Sequence, residues 1–469
     1  MEHASDAAAS AVRAGALESI TSLLESPQSR AILRPLLPSL GNLIHDKAER
    51  VRVAAVRMLL AIKRIPGIRF YHVVPVDQLT ARLSEEGRIH RSLCNAVSKE
   101  LTSLLLNSYF PQGPDISGAD QMKRTLTFLL TEPSASTVFY ANLSCHLPVD
   151  SVVKLIAMLL NCLDSAVKSD QARQIRVTKM SKKRRRQAPQ VQENEEFQTL
   201  SASNTPLMAR IAETIYILWE SIESDLTLAD HKDSNELLLQ RISQVDLTNV
   251  LIHFEQKTSD IAEQHEQSTT RYDCVNTCGA ILRCLGKLPL GAVEGILPHI
   301  TSRLSSISTS EGVPAGRSQR QVSAYFAVLC SWGKTEEVVN ALSISIVSGN
   351  DIADGLASPL LFDENKSGNR QTKAAQNKRG PALLVRNGSQ QTLTVPSVSP
   401  AVAWGIIQDL LQGDDACNLE IRNAILASGE ASKAFEDALE RGTVVAEQLL
   451  LADSVRRFCM SYCSLSLCF

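Results

Sequence analysis

Between residues 31 and 65 the chain reads AILRPLLPSLGNLIHDKAERVRVAAVRMLLAIKRI, and its apolar positions recur with the period of a helix. Leu33, Leu36, Leu37, Leu40, Leu43 and Ile44 form one face of a first predicted helix. Pro38 lies inside it and should kink it, because proline lacks the N–H and crowds the preceding turn. After a linker at His45–Asp46 a second face follows: Val51, Ala54, Ala55, Met58, Leu59 and Ile62. The small pair Ala54–Ala55 lets two helices approach closely.

A copy of this second helix lies upstream. Val12-Arg13, Ala16, Ile20 and Leu23 match Val51-Arg52, Ala55, Leu59 and Ile62 at an offset of 39 residues, the period of HEAT and armadillo arrays. The order Leu-Pro-x-Leu, then Asp, then Val-Arg-x-Ala-Ala resembles the HEAT pattern, with Asp46 and Arg52 at its two polar positions. That resemblance implies an architectural role for both residues, tying adjacent repeats through linker hydrogen bonds and ion pairs.

Further helical faces can be read at Ile89, Leu93, Ala96, Val97, Leu101, Leu104 and Leu105, and at Val152, Leu155, Ile156, Leu159 and Leu163. Others run through Met208, Ile211, Ile215, Leu218 and Ile222, through Ile281, Leu282, Leu285 and Leu288, and through Val322, Tyr325, Phe326 and Leu329. A last set contains Ala403, Ile406, Ile407, Leu410 and Leu411. No segment alternates with period two for long enough to make a sheet. The expected fold is all-α, a HEAT/armadillo-type helical solenoid with two long flexible loop insertions.

Those insertions are polar stretches that break the rhythm, 168–206 and 357–400. They separate helical blocks at 1–167, 207–356 and 401–469. The first insertion carries Lys182, Lys183, Arg184, Arg185 and Arg186, preceded by Arg173, Arg176 and Lys179 and followed by Glu193, Glu195 and Glu196. Three readings of this cluster stay open: a nuclear localisation signal, an arm that neutralises nucleic-acid phosphates, and a solvated loop that is merely basic. The acidic residues after it weigh against the second. The basic set at 366–386 is open to the same three.

Composition narrows the class. Apolar residues make up 44% of the chain and aromatics 4%, a mixture that suits close-packed helices better than strands. The formal net charge of −2 leaves attraction to nucleic acid to local clusters. Eleven cysteines, scattered and mostly in apolar surroundings, point to reduced thiols rather than a disulfide framework. No apolar run is long enough for a bilayer, and the N-terminus has no secretory pattern, so a soluble intracellular protein is expected.

The search for chemistry is negative. No phosphate-binding glycine loop, His-Glu-x-x-His or Gly-x-Ser-x-Gly occurs. Cys274, Cys278 and Cys284 lack further ligands nearby and read as buried helical cysteines, and Cys459, Cys463 and Cys468 are treated alike. His45 and His253 read as structural, Trp219 and Trp332 as core anchors, and Trp404 as partly exposed. Thr205-Pro206 is a minimal proline-directed phosphorylation motif expected in an accessible loop. No cofactor, metal or small-molecule substrate is expected, and the chain reads as a scaffold rather than an enzyme.

Finer sequence selects a family. HDKAERVRVAAVRMLLAIKRIPGIRFYHVVPVDQLTARLSEE at 45–86, RSLCNAVSKELTSLLLNSYFPQG at 91–113, IAETIYILWESI at 211–222 and YFAVLCSWGKTEEVVNAL at 325–342 resemble the G-type HEAT subunits of condensin II. The resemblance implies a non-catalytic subunit that binds a kleisin segment and, through it, SMC ATPases. It also implies a share in holding duplex DNA during mitotic chromosome condensation, and a nuclear location. Members of that family are longer, so further repeats upstream of Met1 are expected, and the tail MSYCSLSLCF does not read as a capping helix. The alternative is a nuclear HEAT scaffold for proteins alone, a transport adaptor or a reader of histone tails, without direct DNA binding.

Overall fold

The computed structural model describes residues 9–90, 93–113, 115–181, 202–263, 269–289, 296–309 and 315–342, together with residues 403, 405, 406 and 410. The described residues contain helices and no strand, as the missing period-two pattern predicts. The chain divides into two units, Met1–Leu285 and Gly286–Phe469. Lys182 to Arg186, residues 357–400, Trp404, Ile407 and the cysteines after residue 450 lie outside the described residues.

In the first unit, α1 (Ser10–Leu23) presents Ala14, Leu17 and Ile20 inward. A short α2 (Pro27–Leu33) follows, then a 3-10 helix (Leu37–His45), then α3 (Glu49–Lys63). The kink expected at Pro38 is thus a full break: proline enters at the start of the 3-10 segment, where its missing N–H costs nothing. The break rotates Leu36 out to solvent, while Leu37, Leu40 and Ile44 stay buried.

Helix α3 packs on α1, on the 3-10 helix and on α5 (Ala96–Tyr109). Helix α4 (Val76–Ile89) packs on α5 and on α7 (Pro133–Ala141), and α6 (Gly118–Thr131) joins α5 to α7. Each helix therefore meets its counterpart one repeat on, the packing order of a HEAT-type array. Two glycines allow close approach. A Cβ on Gly41 would lie 2.6 Å from the Val73 carbonyl oxygen, and one on Gly87 would lie 2.5 Å from Val138 Cγ2.

Local signals set the helix starts. Asn95 and Ser98 form a reciprocal capping box at α5, and Ser117 caps α6. The face drawn from Ile89 to Leu105 belongs to two helices, since α4 ends at Ile89, which is exposed, before α5 begins. An aromatic cluster fills the α5–α6–α7 junction. Tyr109 stacks on Phe128 at 3.7 Å, and Phe139 meets Phe128 edge-on at 5.5 Å and Tyr140 at 5.2 Å.

Helix α8 (Val149–Ser181) packs on α9 (Thr205–Leu226), α10 (Lys232–Gln244) and α11 (Leu247–Glu263). It extends well past residue 167, so the first part of the segment expected to be a loop is helical. Asp170, Gln171 and Arg173 are polar positions of a helix whose apolar face has already ended at Val167. At the other end Asn204 caps α9 and Pro206 sits in its first turn. Trp219 on α9 is buried, and α12 (Thr269–Gly286) buries Cys274, Cys278 and Cys284.

In the second unit, α13 (Leu297–Thr309) packs on α14 (Ala315–Ser331). Val322, Tyr325, Phe326, Leu329 and Trp332 are buried, as are Ala403, Ile406 and Leu410 of the last predicted face.

Candidate functional site

Asp46 and Arg52 stand at the head of α3, and each belongs to a charged contact between repeats. Asp46 leaves the 3-10 helix in an extended conformation, so its carboxylate turns back over the start of α3 and accepts from the Ala48 N–H at 2.8 Å. Arg13 of α1 donates to both oxygens, Nε at 2.8 Å and Nη2 at 3.0 Å. Burial works against the Asp46 carboxylate, but the Arg13 bonds, the Ala48 N–H and the charges of Arg13 and Arg52 outweigh it and hold the group below its ordinary value.

One repeat later the arrangement recurs. Arg52 donates through Nη1 to the carbonyls of Asp46 and Lys47 at 3.0 and 3.1 Å. Its Nε reaches Glu86 Oε1 at 2.7 Å, and Arg82 Nη2 lies 2.7 Å from the same oxygen. His90 Nε2 is 3.3 Å from the other. Glu86 is wholly buried and Arg52 and Arg82 nearly so, so one anion holds two guanidiniums inside the stack. The two links span 33 and 34 residues, and the second is set one repeat after the first, Arg52 lying 39 residues after Arg13 and Glu86 40 after Asp46, so they form a ladder along the array.

Arg82 and Glu86 were not singled out in the sequence, and Arg13 was named there only as the counterpart of Arg52, without a partner. The signal was present for two of them: Arg13 is the equivalent of Arg52 under the 39-residue offset, and the same offset carries Asp46 to Glu85, one residue from Glu86.

Other cations are committed to helix carbonyls. Lys63 Nζ donates to the carbonyls of Ser103 and Leu104 at 3.1 and 2.9 Å, and burial lowers its pKa. Arg210 Nη1 reaches those of Leu129 and Leu130 at 2.8 and 3.1 Å. Arg30 Nε binds the carbonyl of Leu24 at 2.7 Å, at the end of α1. Arg210 and Arg30 thus face the negative ends of α6 and α1 and satisfy carbonyls there, whereas Lys63 adds a donor to carbonyls inside α5.

The end of α8 leads directly to Lys182. Well before that end the helix is held to α11 by polar contacts: Lys257 Nζ lies 2.9 Å from Asp170 Oδ2, and the amides of Gln171 and Asn249 donate to each other at 2.9 and 3.3 Å. His253 lies 3.9 Å from the same Asp170 oxygen. Its pKa is lowered by burial and by Lys257, against a smaller pull from Asp170. Burial pushes the Cys274 thiol up to about 11, against Lys257 and with Asp273, so this sulfur is a protonated core group at neutral pH. Among the described residues no group of three His, Cys, Asp or Glu side chains is arranged to hold a metal ion.

The phosphorylation motif is not in an accessible loop. Thr205 is buried at the first turn of α9, and its hydroxyl donates to Asp273 Oδ2 at 3.5 Å. Pro206 favours this position because a proline suits the start of a helix, the same property that makes the pair read as a turn in sequence. No helix of the described residues is long and apolar enough to cross a membrane.

Among curated proteins, the chain is 24% identical to condensin-2 complex subunit G2 of Danio rerio over 345 residues, 73% of this chain and 26% of the relative. It is 27% identical to the subunit of the same name in Homo sapiens over 256 residues, 52% of this chain and 20% of that one. The match to the Xenopus laevis subunit is 30% over 166 residues, 35% of this chain and 13% of that one. The chain spans about a quarter, or less, of the length of the curated relatives it matches. No family model and no solved structure matches it. The chain is a homologue of the G2 subunit over the matched segment.

Proposed function

We propose that this chain forms a non-catalytic HEAT segment of a condensin II complex, nuclear and chromosomal in location. In this reading it holds a kleisin segment and helps engage duplex DNA, and the ATP chemistry belongs to SMC partners. The observation that carries the reading is likeness to one named subunit in several species, reaching 73% of the chain. The charge ladder supports it physically. With Arg13–Asp46 and Arg52–Glu86 registering one repeat on the next, a row of helices can present a surface long enough for an extended partner strand. Asp46 and Arg52 are architectural in this reading, and Lys182 to Arg186 serve as a nuclear localisation signal or as a phosphate-contacting arm, which the salt titration below separates.

The test is co-purification of the chain with a condensin II kleisin fragment, followed by duplex DNA titration at several salt concentrations. Backbone contacts make log affinity fall with log salt by about 0.9 per phosphate neutralised. Changing Lys182 to Arg186 to Ala should weaken binding for all DNA sequences and flatten that slope. An unchanged slope would remove the arm from DNA and leave it as a nuclear address. A well-folded chain that binds no kleisin would overturn the reading.

A further inference from the structure

We propose that Cys94 and Cys145 are a paired thiol site that a hydroperoxide closes into a disulfide between successive repeats. Cys94 lies just before the N-cap of α5 and Cys145 at the end of the 3-10 turn after α7, and both residues are exposed. Three contacts press these two segments together. Asn142 Nδ2 donates to the Leu93 carbonyl at 2.9 Å, Cys94 Sγ to the Ala141 carbonyl at 3.4 Å, and His146 Nε2 to the Lys99 carbonyl at 2.9 Å. The bracketing residues flank both cysteines, and the Cys94 sulfur itself rests on the segment that carries Cys145.

The electrostatics agree with that placement. Burial raises the Cys94 thiol, and the nearby Cys145 raises it further against a smaller pull from Lys99. Among the described cysteines, Cys274, Cys278, Cys284 and Cys330 are buried and Cys162 is half-buried, whereas Cys94 and Cys145 are exposed to a dissolved oxidant.

The chemistry balances with a hydroperoxide as oxidant. One sulfur attacks a peroxide oxygen, the O–O bond breaks, and a sulfenic acid forms with release of water from hydrogen peroxide. The second sulfur then attacks the first, the S–O bond breaks, and the oxygen leaves as a second water. Two thiols lose two hydrogens and two electrons, and the peroxide takes them up. The product ties the turn between α4 and α5 to the end of α7 and fixes the register of two repeats.

The experiment treats the full chain with hydrogen peroxide, alkylates the remaining thiols and maps peptides without reduction. The expected result is a linked pair containing Cys94 and Cys145, lighter by two hydrogens, reversed by dithiothreitol and absent from Cys94→Ser and Cys145→Ser. The oxidised chain should also unfold at higher urea than the reduced chain, and Cys145→Ser should abolish that difference. Dibromobimane, which bridges only sulfurs close enough to pair, should link the same two without an oxidant. Folded chain in which both thiols alkylate fully after peroxide, or in which dibromobimane leaves them unlinked, would overturn the proposal.

Discussion

Replacing Glu86 by Ala should be the most damaging single change in the charge ladder. Glu86 has no exposed surface, and it is the carboxylate within 2.7 Å of both Arg52 and Arg82. Its removal leaves two buried guanidiniums facing each other, Arg52 with only the Asp46 and Lys47 carbonyls. Breaking a buried pair by removing one partner costs about 3–5 kcal/mol, and here one deletion strands two cations. At 1.4 kcal/mol per decade, the ratio of unfolded to folded chain should rise by about two to three and a half decades. Arg82→Ala should cost less, because Glu86 keeps Arg52 on both oxygens. The assay is urea unfolding followed by helical circular dichroism. The required order of midpoints is wild type, then Arg82→Ala, then Glu86→Ala. Equal midpoints for the two variants would refute the claim that the anion organises the cluster.

The depressed Asp46 group has a defined pH signature: its stabilisation is full above the ordinary value of 3.8 and is lost as pH falls through the lower folded value. Acid unfolding of Asp46→Asn should therefore be less steep than that of wild type below about pH 4, and superimposable curves would show that the Arg13 pair contributes nothing. Gly41→Ala should destabilise more than Gly87→Ala, each within about 1–3 kcal/mol, because the first methyl meets the Val73 backbone oxygen, which moves only with the chain, and the second meets a methyl of the Val138 side chain. Thermal midpoints give the order. Thr205 should resist a proline-directed kinase in the folded chain and accept phosphate once the chain is unfolded; rapid labelling of native protein would contradict its burial.

The family-level architecture was legible because HEAT packing writes itself into a periodic sequence. Val51, Ala54, Ala55, Met58, Leu59 and Ile62 are all buried, as the second face requires. Proline and boundary signals were harder. Pro38 permits either a kinked helix or a break, and only packing of Leu37, Leu40 and Ile44 against α3 and its neighbours selects the break. Thr205-Pro206 carries the same ambiguity, since proline opens turns and helices alike. The α8 extension escaped notice because Asp170 and Gln171, polar residues past its apolar face, are held by Lys257 and Asn249, which lie 78 and more residues away.

The same distinction explains what was legible at the charge ladder. Asp46 and Arg52 are visible because a repeat pattern marks them, yet their partners come from the repeats before and after. A consensus read within one repeat names half of each pair and hides the other half. Arg82 is hidden more deeply, since nothing in its own repeat distinguishes a buried arginine from a surface one. What buries it is Glu86 one turn on along α4, itself drawn inward by Arg52. A contact shared between two repeats has its meaning only in the array, so the array, rather than any one helix, is the unit on which a partner strand could be read.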